Sequence, residues 1–315
     1  MTIVLGTACG AAPAERGPAL DSSPCQLPIG STIPGVGGFL SYPGGQFSSD
    51  GTSALSYSAK HQRWLPVPHQ FISPDGDSYL RLDFSKTSRV TSLNAVDIAT
   101  GNERPLGGLG SSAAPLVWSM SGIYFLQFAR PQPELWVLDP AKQTSRMVAV
   151  GSNGLGLPIF KAWTGVGGGA AWSKTVENTA GPAGDILVRV DLASGQAEVW
   201  YRQNTPTTLD VLGFGPEGDP LVTVVSGGGN RILLLTGPRR SNAIESRDFR
   251  PGAPGAGTGI SDSHGLWLLA NDGGVWLYRD RIVRPIGSAK LPPSVSPASD
   301  IGPARPNLLI AGPCA

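Results

Sequence analysis

Five glycines recur along this chain at nearly constant spacing, and that regularity limits the fold more than any other feature. Each closes the same unit: a short apolar strand, a turn ending in glycine, then a second and stronger strand. The copies are Phe71 to Gly76 before Tyr79 to Phe84, Leu116 to Gly122 before Ile123 to Phe128, Lys161 to Gly169 before Ala170 to Trp172, Val211 to Gly218 before Pro220 to Val225, and Gly259 to Gly265 before Leu266 to Leu269. Gly76, Gly122, Gly169, Gly218 and Gly265 stand 46, 47, 49 and 47 residues apart. A second hairpin follows in each copy, as in Ala95 to Gly101 leading into Glu103, Leu135 to Gln143 leading into Arg146, and Leu187 to Gly195 leading into Glu198. Arg231 to Gly237 and Val275 to Asp280 play the same part. The Asp-x-x-x-Gly run in Asp97 to Gly101 and Asp191 to Gly195 is a turn device, because Asp accepts local backbone N–H groups and Gly tolerates positive φ. Two hairpins per repeat make a four-stranded antiparallel unit, and at this period the unit is a propeller blade.

A worn first copy precedes these, with Phe39 to Tyr42 and Gln46-Phe47 as one hairpin and Ala54 to Tyr57 with Arg63 to Val67 as the other. Six blades are therefore expected between about residues 37 and 287, with breaks near residues 68, 112, 157, 207 and 255. The fold class expected is all-β, a single-domain six-bladed β-propeller of four-stranded antiparallel blades. The 43 Gly and 29 Pro are spread between apolar runs, which marks many short strands and turns, and no segment sustains the 3.6-residue helical period. Strands such as Ile123 to Phe128 are apolar at consecutive positions, as a sheet covered on both faces requires. The first strand of each copy is richer in Ser, Gly and Thr, which suits convergence on a central channel.

Over residues 37 to 287 the chain resembles six-bladed propellers of the TolB-like and WD40-like type. The element that carries the resemblance best is Ile72-Ser-Pro-Asp-Gly76, with Gly215-Pro-Glu-Gly218 and Trp118-Ser-Met-Ser-Gly122 as weaker versions. The motif is structural and implies a fold, not an activity. No counterpart of the α/β domain that precedes the propeller in TolB is expected within these residues, so the resemblance implies the fold class alone.

The N-terminal residues up to Cys9-Gly10 resemble the end of a bacterial lipoprotein signal peptide, followed by an Ala/Pro/Gly-rich tether. Residues 1–24 are read as export remnant and tether, residues 25–315 as the propeller, and Cys9 as the lipid-bearing residue. That makes the protein extracytoplasmic, either lipid-anchored to a bacterial membrane or secreted. The two other cysteines, Cys25 and Cys314, lie just outside the first and last strands. A circular array brings its ends together, and Asn307 to Gly312 reads as a short strand returning to the first blade. A Cys25–Cys314 disulfide is therefore expected to staple the ring, in keeping with an oxidising compartment.

No catalytic or metal constellation emerges, so no cofactor and no metal are expected. Gly165-Val-Gly-Gly-Gly-Ala170 matches a dinucleotide-binding pattern, but a strand and loop follow it where a helix is needed. His61, His69 and His264 lack partners at metal-ligand spacing. A net charge of +1 argues against nucleic acid. The longest loops fall on one rim of the ring, where propellers bind partners. Arg130, Lys161, Trp163, Arg247 and Arg250 lie on or near that rim and are the expected contacts for a protein or glycan. The leading expectation is a monomeric, non-catalytic binding or scaffold module. The alternative is an enzyme acting on a glycan or small polar substrate in the central funnel.

Overall fold

Six antiparallel blades stand around a central channel in a computed structural model that describes residues 22–31, 36–52, 54–84, 90–107, 113–128, 133–150, 162–176, 184–202, 208–215, 217–226, 229–244, 259–270, 272–289 and 308–315. Blades three to six follow the repeat. Blade three is Ala113–Ser119, Gly122–Gln127, Glu134–Asp139 and Thr144–Val150; blade four is Ala162–Gly167, Ala170–Val176, Asp185–Asp191 and Ala197–Arg202. Blade five is Thr208–Phe214, Pro220–Ser226, Gly229–Gly237 and Arg240–Ile244; blade six is Ile260–Asp262, Gly265–Leu269, Gly274–Arg279 and Ile282–Ser288. Blade two has three strands, Ser78–Phe84, Val90–Asp97 and Glu103–Pro105, and its inner position is held by one antiparallel bridge between Ile72 and Tyr79. Among the described residues the helical content is a single 3₁₀ turn, His69–Phe71. The five repeat glycines all have positive φ, from +67° at Gly169 to +138° at Gly265, a backbone that side chains other than glycine rarely adopt.

The consecutive apolar positions of the second strands find their explanation in the ring. In Gly122–Gln127, Ile123 and Phe125 pack with Leu80 and Leu93 of blade two, while Tyr124 and Leu126 pack with Ala171, Ile186 and Val188 of blade four. Side chains alternate across a strand, so a blade between two neighbours must be apolar on both faces. Blade six repeats the device, with Leu266 and Leu268 against Leu221 and Leu234 of blade five, and Trp267 against Leu27 and Leu40 of blade one. Between blades four and five, buried Trp172 and Leu187 pack with Val222 and Leu233. Lys174 reinforces that seam, pairing with Asp185 at 3.4 Å and with Asp210 of blade five at 3.3 Å.

The Asp turns are built as their sequence predicts. Asp97 Oδ1 accepts the N–H and hydroxyl of Thr100, both at 2.7 Å, and Asp191 Oδ1 accepts the N–H groups of Ala193 and Ser194. These donors hold both carboxyls below their ordinary value, led by the Thr100 hydroxyl at Asp97 and the Ser194 N–H at Asp191. Their support is present at neutral pH and is lost as pH falls through the lowered folded values.

Blade one corrects the expectation. Residues 54–67 do not form its outer hairpin. Its strands are Leu308–Ile310, Cys25–Ser31, Gly38–Tyr42 and Phe47–Ser49, so the C-terminal strand takes the inner position and Ile310 pairs with Ile29. Ser56–Ser58 and Arg63–Leu65 instead form a separate two-stranded hairpin. That hairpin is a wedge between blades one and two. Tyr57 and Trp64 stack edgewise and tilted on Phe39 of blade one at 5.0 and 5.4 Å, and the Trp64 indole N–H donates to Asp50 at 2.7 Å. On the other side Leu65 packs with Ile72 and Ile98 of blade two, and the Arg63 guanidinium donates to the Ile98 carbonyl at 2.7 Å. Leu65→Ala should destabilise the protein by about 2–3 kcal/mol, the lower end for a buried leucine because a short hairpin can settle into the space. Urea unfolding checks this, and a loss below about 0.5 kcal/mol would show that the wedge carries no packing.

Candidate functional site

The channel is a concavity of about 1010 Å³, and all six blades and the wedge line it. Its wall comes from the inner strands where they run into their first turns. Glycine makes the approach of blades four and five possible: a Cβ on Gly168 would meet the Gly218 carbonyl oxygen at 2.6 Å. The two sides of the channel differ in character. Blades three to six supply Val117, Trp118, Val166, Phe214 and Ile260, and the C-terminal strand adds Leu309 and Ile310. The wedge and the turn into blade two supply Ser58, Lys60, His69, Gln70, Ser73 and Asp75. One wall is therefore mostly apolar and aromatic, with Glu217 and Ser261 as its polar members, and the other is rich in hydrogen-bonding groups.

Two charged groups of the polar wall, Asp75 and Lys60, are engaged in structure. Asp75 Oδ1 accepts the Ser73 hydroxyl at 2.6 Å and the Asp77 N–H at 3.0 Å, and these bonds, the hydroxyl first, hold its carboxyl below the ordinary value. This is the Ser-Pro-Asp-Gly turn of the repeat folding back on itself. Lys60 donates to Asp77 at 2.7 Å and to the Asp75 carbonyl at 3.1 Å, and His61 lies 3.1 Å from the other Asp77 oxygen. Burial pushes the His69 imidazole down, and its Nδ1 has no hydrogen-bond partner among the described residues. Asp219 is pushed up by burial and by the neighbouring Glu217 charge, but it does not line the channel. Among the described residues no group of three or more His, Cys, Asp or Glu could hold a metal.

Two of the sequence-derived site residues come together. Cys25 and Cys314, 289 residues apart, are bonded as a disulfide with their α-carbons 5.6 Å apart. Trp163 pairs through its backbone with Ser173 in the inner strand of blade four. Arg130, Lys161, Arg247 and Arg250, most of the long-loop rim, and Cys9 with residues 1–21 lie outside the described residues. The Gly165 to Ala170 run is the hairpin between the first two strands of blade four, with no helix behind it. Among the described residues no helix is long and apolar enough to cross a membrane.

Sequence reasoning missed the environment of His264. It sits in a hairpin turn, as expected, yet it is buried beside the disulfide. Its Nε2 lies 3.4 Å from Cys25 Sγ and 3.2 Å from the Ser23 carbonyl, and Asp262 Oδ1 accepts its backbone N–H at 2.8 Å. The other Asp262 oxygen accepts the Cys314 N–H and the Trp267 indole N–H, both at 2.7 Å. One carboxylate thus joins blade six to the closing strand. The available signal was that only the blade-six turn places a His before its repeat glycine, where the counterparts are Asp75, Ser121, Gly168 and Glu217.

Comparison with protein-family profiles and with curated protein sequences finds no match. Among solved structures the chain is similar to TolB from Acinetobacter baumannii, with 14% identity and a TM-score of 0.39 over 79% of this chain and 61% of that one. It is similar to regucalcin from Agrobacterium tumefaciens, described as a calcium-binding protein, with 17% identity and a TM-score of 0.38 over 84% and 74%. Virginiamycin B lyase from Staphylococcus aureus gives 16% identity and a TM-score of 0.36 over 82% and 83%. The chain spans less than two thirds of the TolB structure. These likenesses concern the fold and assign no activity.

Proposed function

We propose that this chain is a non-catalytic binding propeller of an extracytoplasmic compartment, tethered through Cys9, whose channel takes an amphipathic ligand. The observation that carries the reading is the division of the channel into an apolar, aromatic wall and a hydrogen-bonding wall. Such a cavity orients a ligand with an apolar body and a polar edge. The disulfide supports an oxidising compartment. The long-loop rim with Arg130, Lys161, Trp163, Arg247 and Arg250 is the proposed contact for a protein or glycan partner.

The channel reading is tested with anilinonaphthalene sulfonate, a fluorescent amphiphile, on the folded protein. One saturable site per chain is expected, weakened about tenfold when Trp118→Ala and Phe214→Ala are combined. Binding that does not saturate, or that ignores both substitutions, would remove the channel as the site.

A further inference from the structure

The seam where the ring closes holds more than a staple. Half-buried Cys25 and Cys314 remain partly open to solvent, and Ser23 and Ala315 beside them are exposed. Against the Cys25 sulfur stands an imidazole that is 3% exposed. The groups facing that ring are hydrogen-bond acceptors: Asp262 Oδ1 lies 3.3 Å from Nδ1, and the Ser23 carbonyl and Cys25 Sγ face Nε2. Hydrogen on Nε2 is shared between the Ser23 carbonyl and Cys25 Sγ. The other titratable group packed on His264 among the described residues is Tyr42, edge-on with ring centroids 5.4 Å apart. Cys314 has a different environment: its backbone N–H is held by the Asp262 carboxylate, and the imidazole stands on the Cys25 side of the bond.

We propose that this seam is a thiol–disulfide exchange site for dithiol reductants, in which Cys314 is the sulfur attacked and Cys25 the sulfur that leaves. A thiolate of the dithiol attacks Cys314 Sγ, the Cys25–Cys314 bond breaks, and its electron pair goes to Cys25. His264 Nε2–H donates a hydrogen bond to the departing sulfur, because a stabilised thiolate leaves faster. The second thiol of the reductant then attacks the mixed disulfide and releases Cys314. The dithiol is oxidised to its disulfide, and the protein takes up two electrons and two protons. Asp262 is a positioning residue, fixing the ring toward Cys25 while it holds the Cys314 backbone. Reduction there leaves the closing strand attached to Cys25–Ser31 by backbone pairing at Ile29, Gly30 and Ser31.

The test uses glutathione, a monothiol whose first exchange leaves a mixed disulfide that a rapid quench traps before a second thiol attacks it, on the full chain carrying Cys9→Ser. After acid quench and peptide mass mapping, glutathione should be found on Cys314 over Cys25 by about tenfold. In His264→Gln that preference should shrink to near parity. A second measurement follows iodoacetamide alkylation at about pH 6 in single-cysteine chains, Cys314→Ser and Cys25→Ser, each in the Cys9→Ser background. Free Cys25 should react about tenfold faster than free Cys314, and His264→Gln should abolish the difference. Glutathione on Cys25, or a preference that His264→Gln leaves unchanged, overturns the proposal. The glutathione experiment keeps both seam cysteines, so it decides the matter even where a single-cysteine chain does not fold.

Discussion

Asp262→Ala should lower the stability of the folded ring by about 3–5 kcal/mol, a large share of the stability of an ordinary domain. The side chain is 9% exposed, and its two oxygens accept the backbone N–H of His264, the indole of Trp267 and the backbone N–H of Cys314. Deleting it strands those donors and leaves the buried His264 ring without the oxygen that faces its Nδ1. Leaving buried polar groups unpaired is what makes such truncations severe. Two of the donors belong to blade six and one to the closing segment, so the loss falls on the junction of the ring. Asp262→Asn should recover only part of the stability, because its amide NH₂ would face donors on one side. Equilibrium urea unfolding at unchanged m-value reads the effect. A loss under about 1 kcal/mol would mean that water replaces the carboxylate, and the junction would then rest on packing and the disulfide.

Removing the Cys25–Cys314 bond should be comparably damaging, about 3–5 kcal/mol for the Cys25→Ser/Cys314→Ser double variant. The bond closes a loop of 289 residues, and long loops lose the most conformational entropy when cross-linked in the unfolded chain. In the folded state the closing strand is short. Leu308–Ile310 pairs with Cys25–Ser31 at three positions, and the segment beyond it adds reciprocal backbone bonds between Gln26 and Ala315 at 2.8 and 3.2 Å. Without the cross-link these bonds, the Ala311 backbone bonds, the Asp262 contact to the Cys314 N–H and the apolar contacts of Leu308 and Ile310 must hold the ring shut. A calorimetric melting temperature lowered by several degrees is expected, with the same result on reduction of the wild-type chain. An unchanged melting temperature would show that blade packing alone closes the ring.

Much of the architecture could be read before any coordinates. The period was visible because each of blades two to six needs a turn with positive φ at the same place, and glycine answers that need locally. The number of blades followed from the period, and the disulfide from the requirement that a ring bring its ends together. The first blade was only partly legible. Pro28 within Cys25–Ser31 is a poor strand signal, since proline cannot donate to a ladder. In the ring its carbonyl accepts the Ala311 N–H at 2.9 Å, so the strand forms around it. The segment 54–67 has strand-like residues, and nothing local distinguishes an outer hairpin from a wedge.

The candidate site was less legible than the fold. Most polar residues of the channel wall lie within seventeen residues of one another along the chain, from Ser58 to Asp75, while the apolar wall is gathered from five separate inner strands. No spacing rule joins Trp118 to Phe214, because they meet through the closing of the ring. The Asp262–His264–Cys25 contact spans 239 residues from imidazole to sulfur.

By itself the sequence determined the blade: its two hairpins, its glycine turns and its doubly apolar strands, all set by backbone conformations and side-chain alternation within about fifty residues. Only the tertiary structure decided which strand closes the ring, what fills the gap between blades one and two, and which side chains share the channel and the seam. The reason is physical. Those arrangements depend on contacts made once, between residues hundreds of positions apart, and a contact made once leaves no period to read.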